Sequence, residues 1–413
     1  GFAQAASMGF SWRSHSTFRF MENCFVEMLR LNNATAYRLG YACIRQLAVV
    51  LRNSSIAVAH GPGKQTGQLK SMAMGKKLKV NTEKQRKKRA GYQKAINALI
   101  TWPFVRAMYL WTKAISTLPT LRDLAFPLSM VILGAAKSSI PRVQNFPFVF
   151  HCLVCQNRLG TDLEVYVPIS SHIMKCWSVL ISAMEKAWKK RKSISGKNST
   201  GLGASKQPDL EVLCHFRESQ ILDGPALDAV GHNLHFLLVD HMGTLSRSPA
   251  FPELASIVLT HIRRVRKKCR SDILRRELTK FITAAEATAE DLRVKRDALT
   301  EAPTFSKFFL FPADTALAKM RESLLKQKAM DEEQRIEAEQ QRAKEEEQRA
   351  KEREAGDWES QRERQKERRK ERRKLAKAQR RKEAEEPKKK VVKLGKGKDD
   401  TVEEMRFSSD EED

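Results

Sequence analysis

Residues 41–53 read Tyr41-Ala-Cys-Ile-Arg-Gln-Leu-Ala-Val-Val-Leu-Arg-Asn53, and the spacing of their apolar side chains decides the fold class. Ile44, Leu47, Ala48 and Leu51 fall at i, i+3, i+4 and i+7, one face of an α-helix. The same period recurs at Ile169, His172, Ile173, Cys176 and Leu180, and again at Leu254, Ile257, Val258 and Val265. Pro103, Pro147, Pro168, Pro225 and Pro252 each stand just ahead of such a run, where a fixed φ and a missing N–H suit the first helical turn. Strict alternation is rare. Leu163 to Val167 is the best strand candidate, and it is too short to build a sheet. The pattern predicts an all-α chain of roughly nine to twelve helices packed as consecutive hairpins. No strict repeat is visible, so a HEAT/armadillo-like array follows from helix lengths and short connections, with an irregular bundle as the alternative.

The chain has 413 residues, with 76 Lys+Arg against 49 Asp+Glu and a formal net charge of +27. Such a surplus favours phosphate-rich partners over acidic-surface ones. The longest apolar run, Leu124 to Ala136, carries Pro127 and Ser129 and reads as a buried helix, so no membrane span is expected. Cys24, Cys43, Cys152, Cys155, Cys176, Cys214 and Cys269 form an odd, scattered set, as in a reducing compartment. The chain opens on Gly1 rather than Met, and its N-terminal flank is expected to be truncated.

The charge is unevenly placed. Residues 319–413 hold 30 basic and 27 acidic groups, so nearly all the surplus lies before them. Three stretches supply it: 61–95 with 11 basic and 1 acidic, 184–206 with 7 and 1, and 261–281 with 9 and 2. The first two are expected to be solvated loops and the third one end of a helix. The RNA-contact candidates are Lys76, Lys77, Lys79, Lys84, Arg86, Lys87, Lys88 and Arg89, then Lys189, Lys190, Arg191 and Lys192, then Arg263, Arg264, Arg266, Lys267 and Lys268. Counterion release from phosphates gives such contacts their strength without base recognition. No aromatic RNA-recognition motif, KH loop or zinc knuckle is present.

Few other patterns carry chemistry. Cys152-Leu-Val-Cys155 has thiol spacing but lies in an apolar helical run without a second pair, so two core thiols are expected. His232, His235 and His241 share a helix with no cysteine or carboxylate at metal spacing. Gly61-Pro-Gly-Lys-Gln-Thr66 fails as a phosphate loop, because Val58 stands where the first Gly belongs and Gln65 where Ser or Thr follows the lysine. No catalytic constellation, metal site or cofactor motif is expected.

The C-terminal region is a patterned polyelectrolyte: 331–359 is acidic, 360–398 basic and 399–413 acidic again. It lacks apolar residues at coiled-coil spacing and reads as an exposed helix supported by pairs such as Glu345–Arg349 and Glu347–Lys351, giving way to disorder after Pro387. Arg368, Arg369, Lys370, Arg372, Arg373 and Lys374, with Pro387, Lys388, Lys389 and Lys390, read as nuclear-import signals for an import receptor. Ser408 and Ser409 precede Asp410-Glu411-Glu412-Asp413 and suit an acid-directed kinase.

The helical segments also resemble a known family. Ile44-Arg45-Gln46-Leu47 through Arg52-Asn53 is similar to a signature of the nucleolar complex protein 2 family. So are Tyr92-Gln93, Trp102-Pro-Phe-Val-Arg-Ala-Met-Tyr-Leu-Trp111, and the run from Pro127 through Pro141-Arg142 and Pro147 to His151-Cys152. Pro168, then Phe251-Pro252-Glu253-Leu254 and Lys268-Cys269, continue in the same order, so the resemblance covers about 35–300. It implies a non-catalytic, HEAT-like nucleolar protein acting in maturation and intranuclear transport of precursor large ribosomal subunits. It also implies a heterodimer with nucleolar complex protein 1 or 3 relatives, bound to pre-rRNA, in the nucleolus with some in the nucleoplasm. Two departures stand out: the family's acidic N-terminal half is absent, and the basic insertions at 61–90 and 189–206 exceed the family core. The rival reading is a chromatin factor, a histone- or DNA-binding corepressor. The expected organisation is a flank over 1–34, a helical body over 35–300, a linker over 301–330 and a charged tail over 331–413.

Overall fold

The computed structural model describes residues 9–59, 98–194, 207–217, 220, 224–299, 308–354 and 358–385, with the backbone alone at 58–59, 190–194, 352–354, 358–363 and 379–385. The chain divides into two units, 1–341 and 342–413. The described residues form eleven α-helices and no strand. They are α1 (Trp12–Arg30), α2 (Asn33–Ala59), α3 (Trp102–Thr117), α4 (Ala125–Ser139), α5 (Phe146–Asp162), α6 (Ser170–Ile194), α7 (Gly224–Leu245), α8 (Phe251–Lys268), α9 (Asp272–Asp297), α10 (Ala316–Glu354) and α11 (Trp358–Glu385). The all-α expectation holds.

Local chemistry sets the helix ends. Ser11 and Ser14 cap α1 reciprocally, each hydroxyl accepting from the other's backbone N–H at 3.3 and 3.2 Å. Pro103, Pro147 and Pro252 sit in the first turns of α3, α5 and α8, as their fixed φ allows.

In the first unit consecutive helices pair, α4 with α5, α6 with α7 and α8 with α9. Each also packs on the helix two places along: α3, α5, α7 and α9 make one layer, while α2 packs on α4 and α6 on α8. That is the arrangement of a HEAT-like array. Trp177, Phe146, Phe148, Phe251 and Phe281 are fully buried between the layers. Each such side chain contributes about 1.5–3 kcal/mol on removal from water. A polar network crosses the same core: His241 bridges Asn157 (3.2 Å) and Ser170 (2.9 Å), and Asn157 donates to Asp240.

Four local expectations need correction. Leu163 to Val167 is not a strand: Glu164 adopts φ 54°, and the N–H groups of Val165 and Glu164 reach back to Gly160 and Thr161 at 3.1 and 3.4 Å. This left-handed cap closes α5, and alternation in a stretch this short could not distinguish it from a strand. Residues 189–194 belong to α6 rather than to a loop, because the apolar stripe of that helix continues through Ala187. Ile257 is 66% exposed; the buried face of α8 runs through Ala255, Val258, Leu259, Ile262 and Val265.

The fourth concerns 301–330, expected as a linker. From Ala316 onward it is helical, and it docks on the α7–α9 layer. Leu317 is fully buried and its N–H donates to Thr288 Oγ1 at 3.0 Å. Arg321 pairs with Asp240, and Lys328 lies 2.8 Å from Glu211 and 4.7 Å over the Phe236 ring. Gly243 permits the close approach, since a Cβ there would stand 2.8 Å from Arg321 Cβ.

In the second unit, the expected Glu345–Arg349 and Glu347–Lys351 pairs form at 3.6 and 2.7 Å. They support the solvated part of α10 as i,i+4 neighbours.

Candidate nucleic-acid interface

α6 and α8 run side by side in the same direction: Ser178 of α6 lies 3.4 Å from His261 of α8, and Trp188 near the end of α6 meets the turn after α8. That second contact is made by Arg270, whose guanidinium carbon stands 3.8 Å from the indole ring centroid. The basic stretches 184–206 and 261–281, far apart in sequence, therefore meet at one end of the helix pair.

α8 is strongly amphipathic. Its apolar side is buried, and Arg263, Arg264, Lys267 and Lys268 are exposed, with Arg266 half-buried. Arg266, Lys267 and Lys268 fill the last turn, where cations complement the helix dipole, so part of this charge serves the helix itself. Arg263 is paired with Glu286 of α9, and Arg266 reaches Thr279 at 3.5 Å. Arg275, Arg276 and Lys280 of α9 join Arg266 and Lys267 around an open depression, with Asp272 on its edge. Lys175 and Arg264 line a second groove between α6 and α8. The surface offers cations on three elements around Trp188, which can hold phosphates.

Of the other candidates, Lys189 is exposed on α6, and Lys190, Arg191 and Lys192 follow it in the helix. Lys76, Lys77, Lys79, Lys84, Arg86, Lys87, Lys88 and Arg89 lie outside the described residues. So do Pro387, Lys388, Lys389, Lys390, Ser408 and Ser409. Arg368, Arg369, Lys370, Arg372, Arg373 and Lys374 are exposed on α11.

Among the described residues no group of three or more His, Cys, Asp or Glu side chains could hold a metal ion, and no helix is long and apolar enough to cross a membrane. Burial pushes Cys155 up to about 12 and Cys152 well above the usual thiol range, which keeps both protonated. His232 does have a carboxylate neighbour that its own helix did not reveal, Glu277 of α9 at 2.9 Å, with His235 at 3.9 Å.

Comparison with known proteins bears on what this surface belongs to. A family model described as the Noc2p family matches residues 3–308. The chain belongs to the Noc2p family. It is 26% identical over 280 residues to nucleolar complex-associated protein 2 of Arabidopsis thaliana, covering 67% of this chain and 30% of that protein. Nucleolar complex protein 2 of Drosophila melanogaster is 26% identical over 282 residues, with the same coverage of each chain. An uncharacterized NOC2 family protein of Schizosaccharomyces pombe is 23% identical over 294 residues, 69% of this chain and 35% of the relative. The chain thus spans about a third of the length of these relatives.

Many of the Noc2p-type motif residues sit inside the fold. Ile44, Leu47, Trp111, Pro147, Cys152, Phe251 and Pro252 are buried, and Leu254, Pro127 and Trp102 are half-buried. His151 lies 3.2 Å from the Leu213 carbonyl and 3.1 Å from the Tyr109 hydroxyl. Burial holds its pKa at about 4, so it is neutral: Nε2–H donates to the carbonyl and Nδ1 accepts from the hydroxyl. Glu253 pairs with Arg296 at 2.7 Å. Arg45, Gln46, Arg52, Asn53, Pro141, Arg142 and Pro168 are exposed.

Proposed function

We propose that this Noc2p-family chain is a non-catalytic ribosome-assembly scaffold of the nucleolus, acting on precursor large subunits and touching pre-rRNA through the α6–α8 surface. The observation that carries the RNA part is the Arg270–Trp188 stack, which draws two basic stretches into one patch. The names of the Arabidopsis and Drosophila relatives support the nucleolar assignment. The remaining elements of the proposal are a heterodimer with a nucleolar complex protein 1 or 3 relative, intranuclear transport of the particle, and import through the basic face of α11 by an import receptor. The extra basic stretch at 61–95 is a second RNA contact in this reading.

Co-sedimentation tests it. The chain is expected to travel with precursor large subunits and to be released by RNase. Charge reversal of Arg264, Lys267, Lys268 and Arg270 is expected to weaken that association. Recovery on nucleosomes that survives RNase sinks the reading in favour of a chromatin factor. Deleting 360–398 is expected to abolish nuclear accumulation of a reporter fusion.

A further inference from the structure

α2 and α4 lie side by side in the same layer and run in the same direction. Thr120, ahead of α4, is 3.4 Å from Asn33 at the start of α2. A Cβ on Gly40 would stand 2.7 Å from Leu124, and one on Gly134 would stand 2.9 Å from Leu51, so the contacts advance together along both helices. This register sets Tyr41 and Arg45 level with the first turns of α4, where Phe126 and Met130 stand. The inner sides of the pair are filled by Ile44 and Leu47 on α2 and by Leu128, Ile132 and Ala135 on α4. The outer side is not an ordinary solvated face. Tyr37, Tyr41, Arg45 and Arg52 follow one another at i, i+4, i+8 and i+15 on α2, and all are exposed. Phe126, Met130 and Lys137 do the same on α4 at i, i+4 and i+11. Phe126 is 73% exposed, Met130 55% and Tyr41 54%. Single exposed apolar residues need no explanation, but a run across two adjoining helices marks an interaction surface. Tyr, Phe, Met and Arg are also the residues that the centre of a protein interface favours.

Charge selects the occupant. Neither α2 nor α4 contains an Asp or Glu, while Arg38, Arg45, Arg52 and Lys137 are all exposed on them. The nearest acids along the chain are Glu27, which is paired with Arg30, and Asp123 just before α4. An acidic partner is therefore attracted and a basic one repelled. The chain itself is a poor occupant: its stretch 61–95 carries 11 basic groups and 1 acidic, and a second copy would set arginines against arginines. Helical spacing on both elements suits a third helix laid along them, its apolar side read at i, i+3 or i+4 and i+7. Arg45 and Arg52 are two turns apart, ~10 Å, the repeat at which one side of such a helix presents its acids. We propose that the outer face of α2 and α4 is a docking surface for an acidic amphipathic helix of a partner protein. The apolar side of that helix lies on Tyr41, Phe126 and Met130, and its carboxylates meet Arg45 and Arg52. The proposal stands whether or not the RNA reading does.

The test uses the full chain with the photocrosslinking residue p-benzoylphenylalanine in place of Tyr41 or of Met130. Each version is irradiated in nucleolar extract, and the joined segment is sequenced by mass spectrometry. Both positions are expected to capture the same segment of one protein, apolar at helical spacing and net acidic. A fluorescein-labelled peptide of that segment is then titrated with the full chain. Phe126→Ala with Met130→Ala, and separately Arg45→Glu with Arg52→Glu, are each expected to weaken peptide binding about tenfold or more. Helicity should be unchanged, because all four side chains are exposed. The proposal is overturned by any of four results. These are no cross-link from either position, cross-links confined to RNA, to lipid or to this chain itself, a captured segment that is net basic, or peptide binding that either double variant leaves unchanged.

Discussion

Arg321 of α10 donates from Nε to Asp240 of α7 at 2.8 Å, where both side chains are largely buried at 26% and 15% exposure. Asp240 also accepts from Asn157 of α5, so one carboxylate ties α10 to two helices of the array. Arg321→Ala leaves that carboxylate short of its charged partner. It is expected to lower stability by about 1–3 kcal/mol. Urea unfolding reads the loss, and protease cleavage should rise between residues 300 and 335 as the first part of α10 lifts. A variant as resistant as wild type would mean that the helix is held by Leu317 and Lys328 without the ion pair.

Stability should fall on acidification, and two histidines set the slope. Burial holds His241 at about 3 and His151 at about 4, against an ordinary value near 6.5. The folded state keeps them neutral while the unfolded chain takes up protons. Their contribution is therefore intact above pH ~6.5 and is lost progressively as pH falls toward 4, by about 1.4 kcal/mol per pH unit for each. His232 has the opposite sign. The hydrogen bond to Glu277 raises its pKa, so its stabilisation is full below ~6.5 and disappears as pH climbs through the raised value. His241→Gln should flatten the acid limb of a melting-temperature profile, whereas His232→Gln should act only on the near-neutral side.

Trp111 is a family-motif residue, yet it is 3% exposed and meets Phe25 edge-to-face with centroids 6.2 Å apart. Its role is packing between α1 and α3. Trp111→Ala is expected to cost about 3–5 kcal/mol. RNA affinity per folded molecule, measured by filter binding after the folded fraction is fixed by circular dichroism, should be unchanged. A loss of affinity in the folded fraction would reassign the residue to binding.

Periodicity in the sequence carried the fold where burial follows a helix face, as at Ile44 and Leu47, and blurred where small residues do the packing. In α8 the inward stripe includes Ala255, which gives little hydrophobic signal, so Ile257 drew the stripe one position off. The docked part of α10 was illegible for a related reason. It attaches through separate anchors (Leu317, Arg321, Lys328) rather than a continuous apolar face, and a charged composition there looks like a solvated tail. The candidate sites divide in the same way. Basic runs can be counted along the chain, but the meeting of Trp188 with Arg270 and the burial of Arg106 against Phe10 and Phe18 belong to tertiary structure alone.

The assignment of RNA contact to the α6–α8 surface is separable from the net charge of the chain. Arg264 and Lys267 are exposed on α8, and Arg45 and Arg52 are exposed on α2. The two double reversals to Glu change the total charge equally. If phosphates sit on the α8 patch, Arg264→Glu with Lys267→Glu should weaken RNA binding. The slope of log K against log salt should shrink by about one to two, near 0.7 per lost contact on single-stranded RNA. Arg45→Glu with Arg52→Glu should leave the slope close to wild type. Both pairs keep the buried stripe intact, because Ile262 and Val265 on α8 and Ile44 and Leu47 on α2 are untouched. Equal weakening by the two variants would mean that the whole basic chain attracts RNA through its field, and the α8 surface would lose its claim to be the interface.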